Sequence, residues 1–314
     1  MQPSFSEMLT RRVQFVTGKG GVGKSTVLGS LGVAAARAGR RPLIVELGAH
    51  SSLSYSPHGP PVGYTPVEVA QGVHATRVLF EPALVDYVTD RLKVRLIATL
   101  VSRNRALRRL FLAAPGVDEI VVLHRVMELA DSQAWDPILV DLESTGHALM
   151  FFDLPTVLDA FLDDGPLRQI VDRATAMVRN AADCAVHIVT VPEPLAVSET
   201  IQLYRALEAR SDLHLGHLLI NRIPPKWMSE SEVSLIREYS DPKHAEEPWF
   251  PDITLARHFA ERREVAEKCL NGLTHDIAMP TWLLDSQSTV DAGPRDDMAI
   301  VSSLADAFLR GGVE

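Results

Sequence analysis

A glycine-rich loop near the start of the sequence carries two lysines and a serine, a combination typical of phosphate binding. Residues 18–25 fit the pattern G-x-x-x-x-G-K-[ST] at every fixed position. Glycines allow backbone N–H groups to surround phosphate oxygens, and the N-terminus of a following helix adds a positive dipole. The predicted nucleotide-binding residues of this loop are Gly18, Lys19, Gly20, Gly21, Val22, Gly23, Lys24, Ser25 and Thr26.

Three side chains are expected to have separate tasks at this site. Lys24 is expected to bridge the β- and γ-phosphates, and the Ser25 hydroxyl is expected to be a ligand of Mg²⁺. Asp141 follows the apolar run 137–140. A carboxylate that faces the phosphates from the carboxyl end of a strand can hold Mg²⁺ and its waters. The sequence therefore predicts Ser25 and Asp141 as metal ligands.

The elements that must position these residues can be read from the hydrophobic pattern. Short apolar, β-branched runs alternate with longer helical patterns, which is typical of a doubly wound, mostly parallel α/β sheet with helices on both faces. The loop lies between the first strand and the helical run 26–38, as a phosphate loop requires. The predicted strands are 12–17, 42–47, 75–79, 138–142, 185–191, 215–221 and 281–284.

Two helix-rich stretches, at about 82–130 and 154–182, exceed what crossover connections need. We find no repeat and no linker, so the sequence predicts one domain over residues 1–314, with helical insertions at these two places and a helical subdomain in the first.

Composition narrows the classes of protein further. The chain is 46% hydrophobic and 23% charged, which excludes a disordered or collagen-like protein. Its net charge of −9 argues against a nucleic-acid partner. The two cysteines, Cys184 and Cys269, form no C-x-x-C pair. No apolar run approaches the roughly 20 residues that cross a bilayer. We expect a soluble, cytoplasmic protein with no transmembrane segment.

Lys19, directly after Gly18, gives the loop a resemblance to a known class. The sequence Lys-Gly-Gly-Val-Gly-Lys-Ser-Thr over 19–26 resembles the deviant Walker A motif of nitrogenase iron protein, the MinD/ParA group and the arsenite-pump and tail-anchored-protein-targeting ATPases. In that class the early lysine reaches across a nucleotide-sandwich dimer to the partner's phosphates. The resemblance implies ATP with Mg²⁺, catalytic roles for Lys19 and Lys24, and a homodimer or a heterodimer with a related ATPase.

Further segments resemble the arsenite-pump/tail-anchored-protein-targeting branch, in an uncharacterised bacterial subgroup. Residues 141–147, Asp-Leu-Glu-Ser-Thr-Gly-His, are similar to its D-x-x-P-T-G-H switch, with Ser144 in place of proline. Residues 191–200 look like the loop after the next strand. The resemblance implies that Asn221 holds the adenine and that Pro280 belongs to the backbone loop on the other side of the base. It leaves the role of His147 open.

The first switch departs from that branch. Its usual aspartate, which positions the attacking water, is replaced by Leu47 or Gly48, depending on the alignment. Glu46 is the nearest carboxylate; we name it as a catalytic candidate, with support of Mg²⁺ or a structural role as the alternatives. Nucleotide binding is expected to survive this change, whereas hydrolysis is expected to be slow. The cysteine motifs of the zinc-linked dimer, the arsenite site and the iron–sulfur cluster are not in the sequence.

A basic stretch over residues 91–109 contains seven Arg or Lys residues and no acid, interleaved with leucines. The favoured interpretation is that arginine stems cover a core-facing helix. The alternative is a docking surface for a protein client.

Together the motifs favour a Mg-ATP-dependent dimeric switch of the arsenite-pump/tail-anchored-protein-targeting class. A non-hydrolysing scaffold, or one half of a heterodimeric ATPase, is the second hypothesis. A ParA/MinD-like positioning ATPase is the third, and it is disfavoured by the acidic charge and the Thr-Gly-His switch.

Overall fold

A computed structural model describes residues 4–47, 61–79, 81–83, 85–86, 117–142, 148–153, 157, 166–210, 212–287 and 297–311. The strands are β1 (Val13–Thr17), β2 (Leu43–Leu47), β3 (Val67–Ala70), β4 (Val73–Val78), β5 (Ile138–Asp141), β6 (Cys184–Thr190), β7 (Leu215–Ile223) and β8 (Thr281–Asp285). The helices are α1 (Phe5–Met8), α2 (Lys24–Arg37), α3 (Val117–Asp131), α4 (Pro166–Arg179), α5 (Pro194–Glu208), α6 (Glu230–Tyr239), α7 (Phe250–Asp276) and α8 (Asp297–Arg310), with a 3₁₀ turn at Pro242–His244.

These strands form one eight-stranded sheet in the order β3-β4-β2-β5-β1-β6-β7-β8. All neighbouring pairs are parallel except the hairpin of β3 and β4. On one side of β1 the chain forms β2, β3 and β4 and then returns to place β5 between β1 and β2, and on the other side it moves outward through β6, β7 and β8. The fold is therefore a doubly wound α/β sheet, as predicted. In such a sheet, ligands bind at the carboxyl ends of the strands where the direction of winding changes. The loop that follows β1 lies at that place.

Helices cover both faces of the sheet, and each face has its own apolar cluster. The front face packs against α2 and α8, through residues such as Leu28 and Leu304. The back face packs against α3, α4, most of α5 and the end of α7, through residues such as Leu123 and Leu207. Residues of β1 and β5 are buried on both faces, which explains why the central strands are almost continuous apolar runs. The strands thereby form a rigid base for the loop.

All seven predicted strands are present, with ends shifted by at most two residues. The edge strand β3 was missed, because it has only four residues, it is only partly buried, and one of them is the exposed Glu68. Helices α3 and α4 lie in the two predicted insertions. Most of the first insertion, including the basic stretch 91–109, lies outside the described residues, and the single-domain organisation stays a prediction. In the part of the chain that is described, no helix has both the length and the apolar character needed to span a membrane.

Two histidines, one in β6 and one in β7, are buried on the front face of the sheet. The rings of His187 and His217 stack with centroids 5.4 Å apart, and the His217 backbone N–H donates to His187 Nδ1 at 2.9 Å. Burial lowers the pKa of His187 well below its ordinary value, and the charges of His217, Arg11 and His214 lower it further. Burial, Arg11 and His214 lower the pKa of His217 to about 4. Both histidines are therefore neutral in the folded protein at pH 7.

We expect the free energy of unfolding to fall as the pH drops below about 6.5. The unfolded chain then binds protons that the folded chain excludes, at a cost of up to about 1.4 kcal/mol per pH unit for each histidine. For His217 this loss continues down to its folded pKa of about 4. Urea unfolding at pH 7, 6 and 5 measures the slope, and His217→Gln should reduce it. His275→Gln is the control, since that side chain is 86% exposed. A pH-independent midpoint in the wild type would contradict the prediction.

Candidate functional site

The loop between β1 and α2 adopts a backbone that glycine permits. Gly18, Gly21 and Gly23 have φ values of +149°, +84° and +89°. At Gly18 space is also limiting, because a Cβ would lie 2.1 Å from the carbonyl oxygen of Val189 in β6. The loop therefore passes close to the neighbouring strand before it turns into α2, and its backbone curves in the way expected of a phosphate cradle.

The side chain of Lys24 lies across this loop. Its Nζ donates to the backbone oxygens of Gly18 and Lys19, at 3.1 and 3.3 Å. These contacts place the ammonium group over the concave side of the loop, where the β- and γ-phosphates of a nucleotide would come to lie.

Ser25 and Asp141 meet at the carboxyl end of β5. Ser25 Oγ donates to Asp141 Oδ2 at 2.8 Å, although the two residues are 116 positions apart in the sequence. A hydroxyl and a carboxylate at this separation, next to a phosphate cradle, are the oxygen ligands that Mg²⁺ prefers. The two predicted metal ligands are thus brought together by the fold.

Glu46 lies on the same face of the sheet as Asp141. It pairs in register with Asp141 of β5 on one side and with Arg77 of β4 on the other. Residues paired in this way on parallel strands direct their side chains to the same face, and that face is the one covered by α2. Leu47 points to the opposite face and packs against the back cluster. Glu46 is 2% exposed. The buried carboxylate next to Asp141 is therefore that of Glu46, while Leu47 is excluded from the metal side.

The end of β7 is tied to the loop by two side chains. Asn221 Nδ2 donates to the backbone oxygen of Val22 at 2.9 Å, and Arg222 Nη1 donates to that of Gly21 at 3.1 Å. Arg222 has a φ of +57°, which is uncommon for a residue with a side chain. Asn221 is 4% exposed. Arg222 was not among the predicted site residues, and only its place directly after Asn221 could have indicated it.

A cavity of about 300 Å³ opens beside these residues. One wall is polar and is made by Ser25, Thr26, Asn221 and Arg222 and by the residues 285–287 at the end of β8. The other wall is made by α8, which contributes Asp297 and the apolar Ile300, Val301 and Leu304. Asn221 therefore stands between the phosphate loop and a cavity suited to a nucleoside. This position agrees with an adenine-binding role, which stays a proposal.

Pro280 does not join this arrangement. It lies at the amino end of β8, whereas the cavity is lined from the carboxyl end of that strand, about 16 Å further along at roughly 3.3 Å per residue. The structure therefore does not bring Pro280 together with the other predicted site residues, and its role at the base stays a prediction. The part of this chain segment that lines the cavity is 285–287.

Lys19 has a different orientation from Lys24. Its Nζ donates to Glu199 Oε1 in α5, at 2.9 Å. Several other predicted features lie outside the described residues. These are Gly48, the second-switch residues 143–147 with His147, and the basic stretch 91–109.

ATP and Mg²⁺ fit the residues present. The positive-φ glycines form a cradle, Lys24 crosses it, Ser25 and Asp141 offer oxygen ligands, and a cavity of nucleoside size adjoins them. Mg²⁺, when bound, would neutralise the charge of the phosphates.

The fold and this site define a P-loop nucleotide-binding α/β protein. The model of the family described as "Anion-transporting ATPase" matches residues 11–172, just over half of the chain, and the chain belongs to this family. The ATPase BagA of Mycobacterium tuberculosis is 25% identical over 238 residues, which cover 72% of this chain and 69% of that protein. The ATPase ASNA1 homolog 1 of Paramecium tetraurelia is 27% identical over 169 residues, covering 52% of this chain and 50% of its own.

Proposed function

We propose that the protein is a Mg²⁺-dependent ATPase that acts as a nucleotide-dependent dimeric switch and turns over slowly. The observation that carries the proposal is the 2.8 Å contact between Ser25 and Asp141 beside the phosphate loop. Membership of an ATPase family supports ATP as the nucleotide. Lys24 and the loop amides hold the phosphates, and Asn221 holds the base.

Glu46 is the second carboxylate of the proposed site. Its register with Asp141 on the α2 face supports a role in holding the metal's waters or the attacking water. In both roles, Glu46 stands at a different position from the family's switch aspartate, which aligns with Leu47 or Gly48. Slow hydrolysis is therefore expected.

The binding and turnover of ATP test the proposal directly. We expect tight binding of a fluorescent ATP analogue that strengthens with Mg²⁺, and phosphate release well below the ~1–10³ s⁻¹ typical of enzymes. Binding without any release would instead support the non-hydrolysing scaffold. Release that appears only with a related ATPase chain would support the heterodimer.

Lys19→Ala should separate nucleotide binding from dimer formation. Because Lys19 Nζ lies against Glu199 and not over its own loop, binding by the monomer should change by less than about threefold. ATP-dependent dimerisation should weaken about 100-fold, since a symmetrical dimer loses two charge-assisted contacts of about 1.5 kcal/mol each. Sedimentation with Mg²⁺ and a non-hydrolysable ATP analogue measures the amounts of monomer and dimer. A variant that dimerises like the wild type would rule out a lysine-bridged sandwich.

A further inference from the structure

The ion pair between Lys19 and Glu199 joins the phosphate loop to a helix 180 residues away in the sequence. The two side chains are 28% and 37% exposed, so the pair lies at the surface but is partly covered. Lys24, five residues along the same loop, lies across the loop itself. Of the two loop lysines, one is thus directed at the chain's own nucleotide site and the other is held by a carboxylate.

Glu199 is carried by a firmly anchored segment. The next residue, Thr200, is 2% exposed, and its Oγ1 donates to Thr190 Oγ1 at the end of β6, at 2.8 Å. One residue before Thr190, Val189 is the close neighbour of Gly18. Both members of the ion pair are therefore fixed near the same point of β6. Lys19 can leave Glu199 by rotating its own flexible side chain, without movement of the helix.

We propose that Glu199 restrains Lys19 in the monomer and thereby sets the threshold for nucleotide-dependent pairing of two copies of this chain. The inference rests on the proposed function, because it takes the triphosphate of a second copy as the alternative partner of Lys19. When two ATP-loaded copies meet, Lys19 exchanges the carboxylate for the partner's phosphate oxygens. Without that phosphate, Glu199 holds the lysine back and disfavours pairing.

The size of the effect follows from the exposure of the pair. A partly exposed ion pair is worth at most a factor of about five in an equilibrium constant. Because two such pairs open in a symmetrical dimer, Glu199→Gln should raise the association constant by up to about 25-fold. The gain should depend on nucleotide and should shrink at high salt, which already weakens the pair.

Sedimentation equilibrium with Mg²⁺ and a non-hydrolysable ATP analogue tests this on four proteins: wild type, Glu199→Gln, Lys19→Ala and the double variant. Glu238→Gln is the matched control, since it removes the same charge from an exposed position on α6. Thermal melting checks that each variant is folded.

Several-fold stronger dimerisation of Glu199→Gln, with no change when Lys19 is already alanine, would support the proposal. Equal dimerisation of Glu199→Gln and wild type would overturn it, as would a gain that persists in the Lys19→Ala background. In both of those cases, the proposed nucleotide-sandwich dimer would still be supported if Lys19→Ala alone weakens dimerisation. If the wild type binds the analogue and stays monomeric, the dimeric switch fails, and the restraint on Lys19 fails with it.

Discussion

Replacement of Lys24 by alanine should reduce ATP affinity by about 100-fold. The ammonium group lies over the loop, bonded to the carbonyls of Gly18 and Lys19, and a bound triphosphate would take over its hydrogen bonds. Two charge-assisted hydrogen bonds to phosphate contribute about 3 kcal/mol together, and each 1.4 kcal/mol is a factor of ten. Titration with a fluorescent ATP analogue, with and without Mg²⁺, measures the loss.

The matched control is Lys268→Ala, which removes a lysine that is 74% exposed on α7. It should bind the analogue like the wild type. If Lys24→Ala also kept its affinity, the assignment of residues 18–26 as the phosphate site would be wrong.

Replacement of Asp141 by asparagine should slow phosphate release about 100-fold, since a bound metal contributes several kcal/mol to the transition state. Asparagine has nearly the same shape and can still accept from Ser25 Oγ, so the fold should be preserved. What is lost is the negative charge. Binding of nucleotide without Mg²⁺ should be unchanged or slightly stronger, and the gain in affinity on adding Mg²⁺ should disappear. Single-turnover release and Mg²⁺ titrations measure the two effects.

The variant Glu46→Gln separates the role of Glu46 from that of Asp141, its register partner on β5. We expect it to slow release while leaving the Mg²⁺ dependence of binding intact if Glu46 orients the water. Loss of the Mg²⁺ dependence would assign Glu46 to the metal, and an unchanged rate would leave it a structural role. Asp172→Asn on α4, an exposed carboxylate in an ion pair with Arg168, is the control.

For the preceding prediction, an Asp141→Asn variant that hydrolyses ATP at the wild-type rate would refute the metal site.

The parts of the fold that the sequence predicted well are those with strong local signals. Most of the predicted strands are largely buried runs, and burial on both faces makes such runs conspicuous. Strand β3 carries no such signal, since it is partly exposed and pairs only with β4. The phosphate loop was predictable because its residues are adjacent and their spacing is fixed by the ligand.

The rest of the site depends on contacts between distant parts of the chain. Asp141 was predicted because it ends a strand, whereas Glu199 lies within a helix and gave no indication that it would meet Lys19. The face to which Glu46 points depends on the register between β2 and β5, which composition does not reveal. Pro280 was placed by resemblance alone. The structure shows that the wall of the cavity begins five residues later.

The cavity beside Asn221 also bears on how the protein is made. Its far wall consists of residues 285–287 and of α8, which packs on α2 and is joined to it by the ion pair of Arg37 with Asp306 at 2.7 Å. The phosphate loop leaves the ribosome hundreds of residues before these parts do. A nascent chain therefore carries the loop early but has no complete nucleoside cavity until residues beyond 304 have emerged. Under the proposed function, productive ATP binding follows synthesis of α8, and nascent chains that lack α8 are expected not to compete for nucleotide.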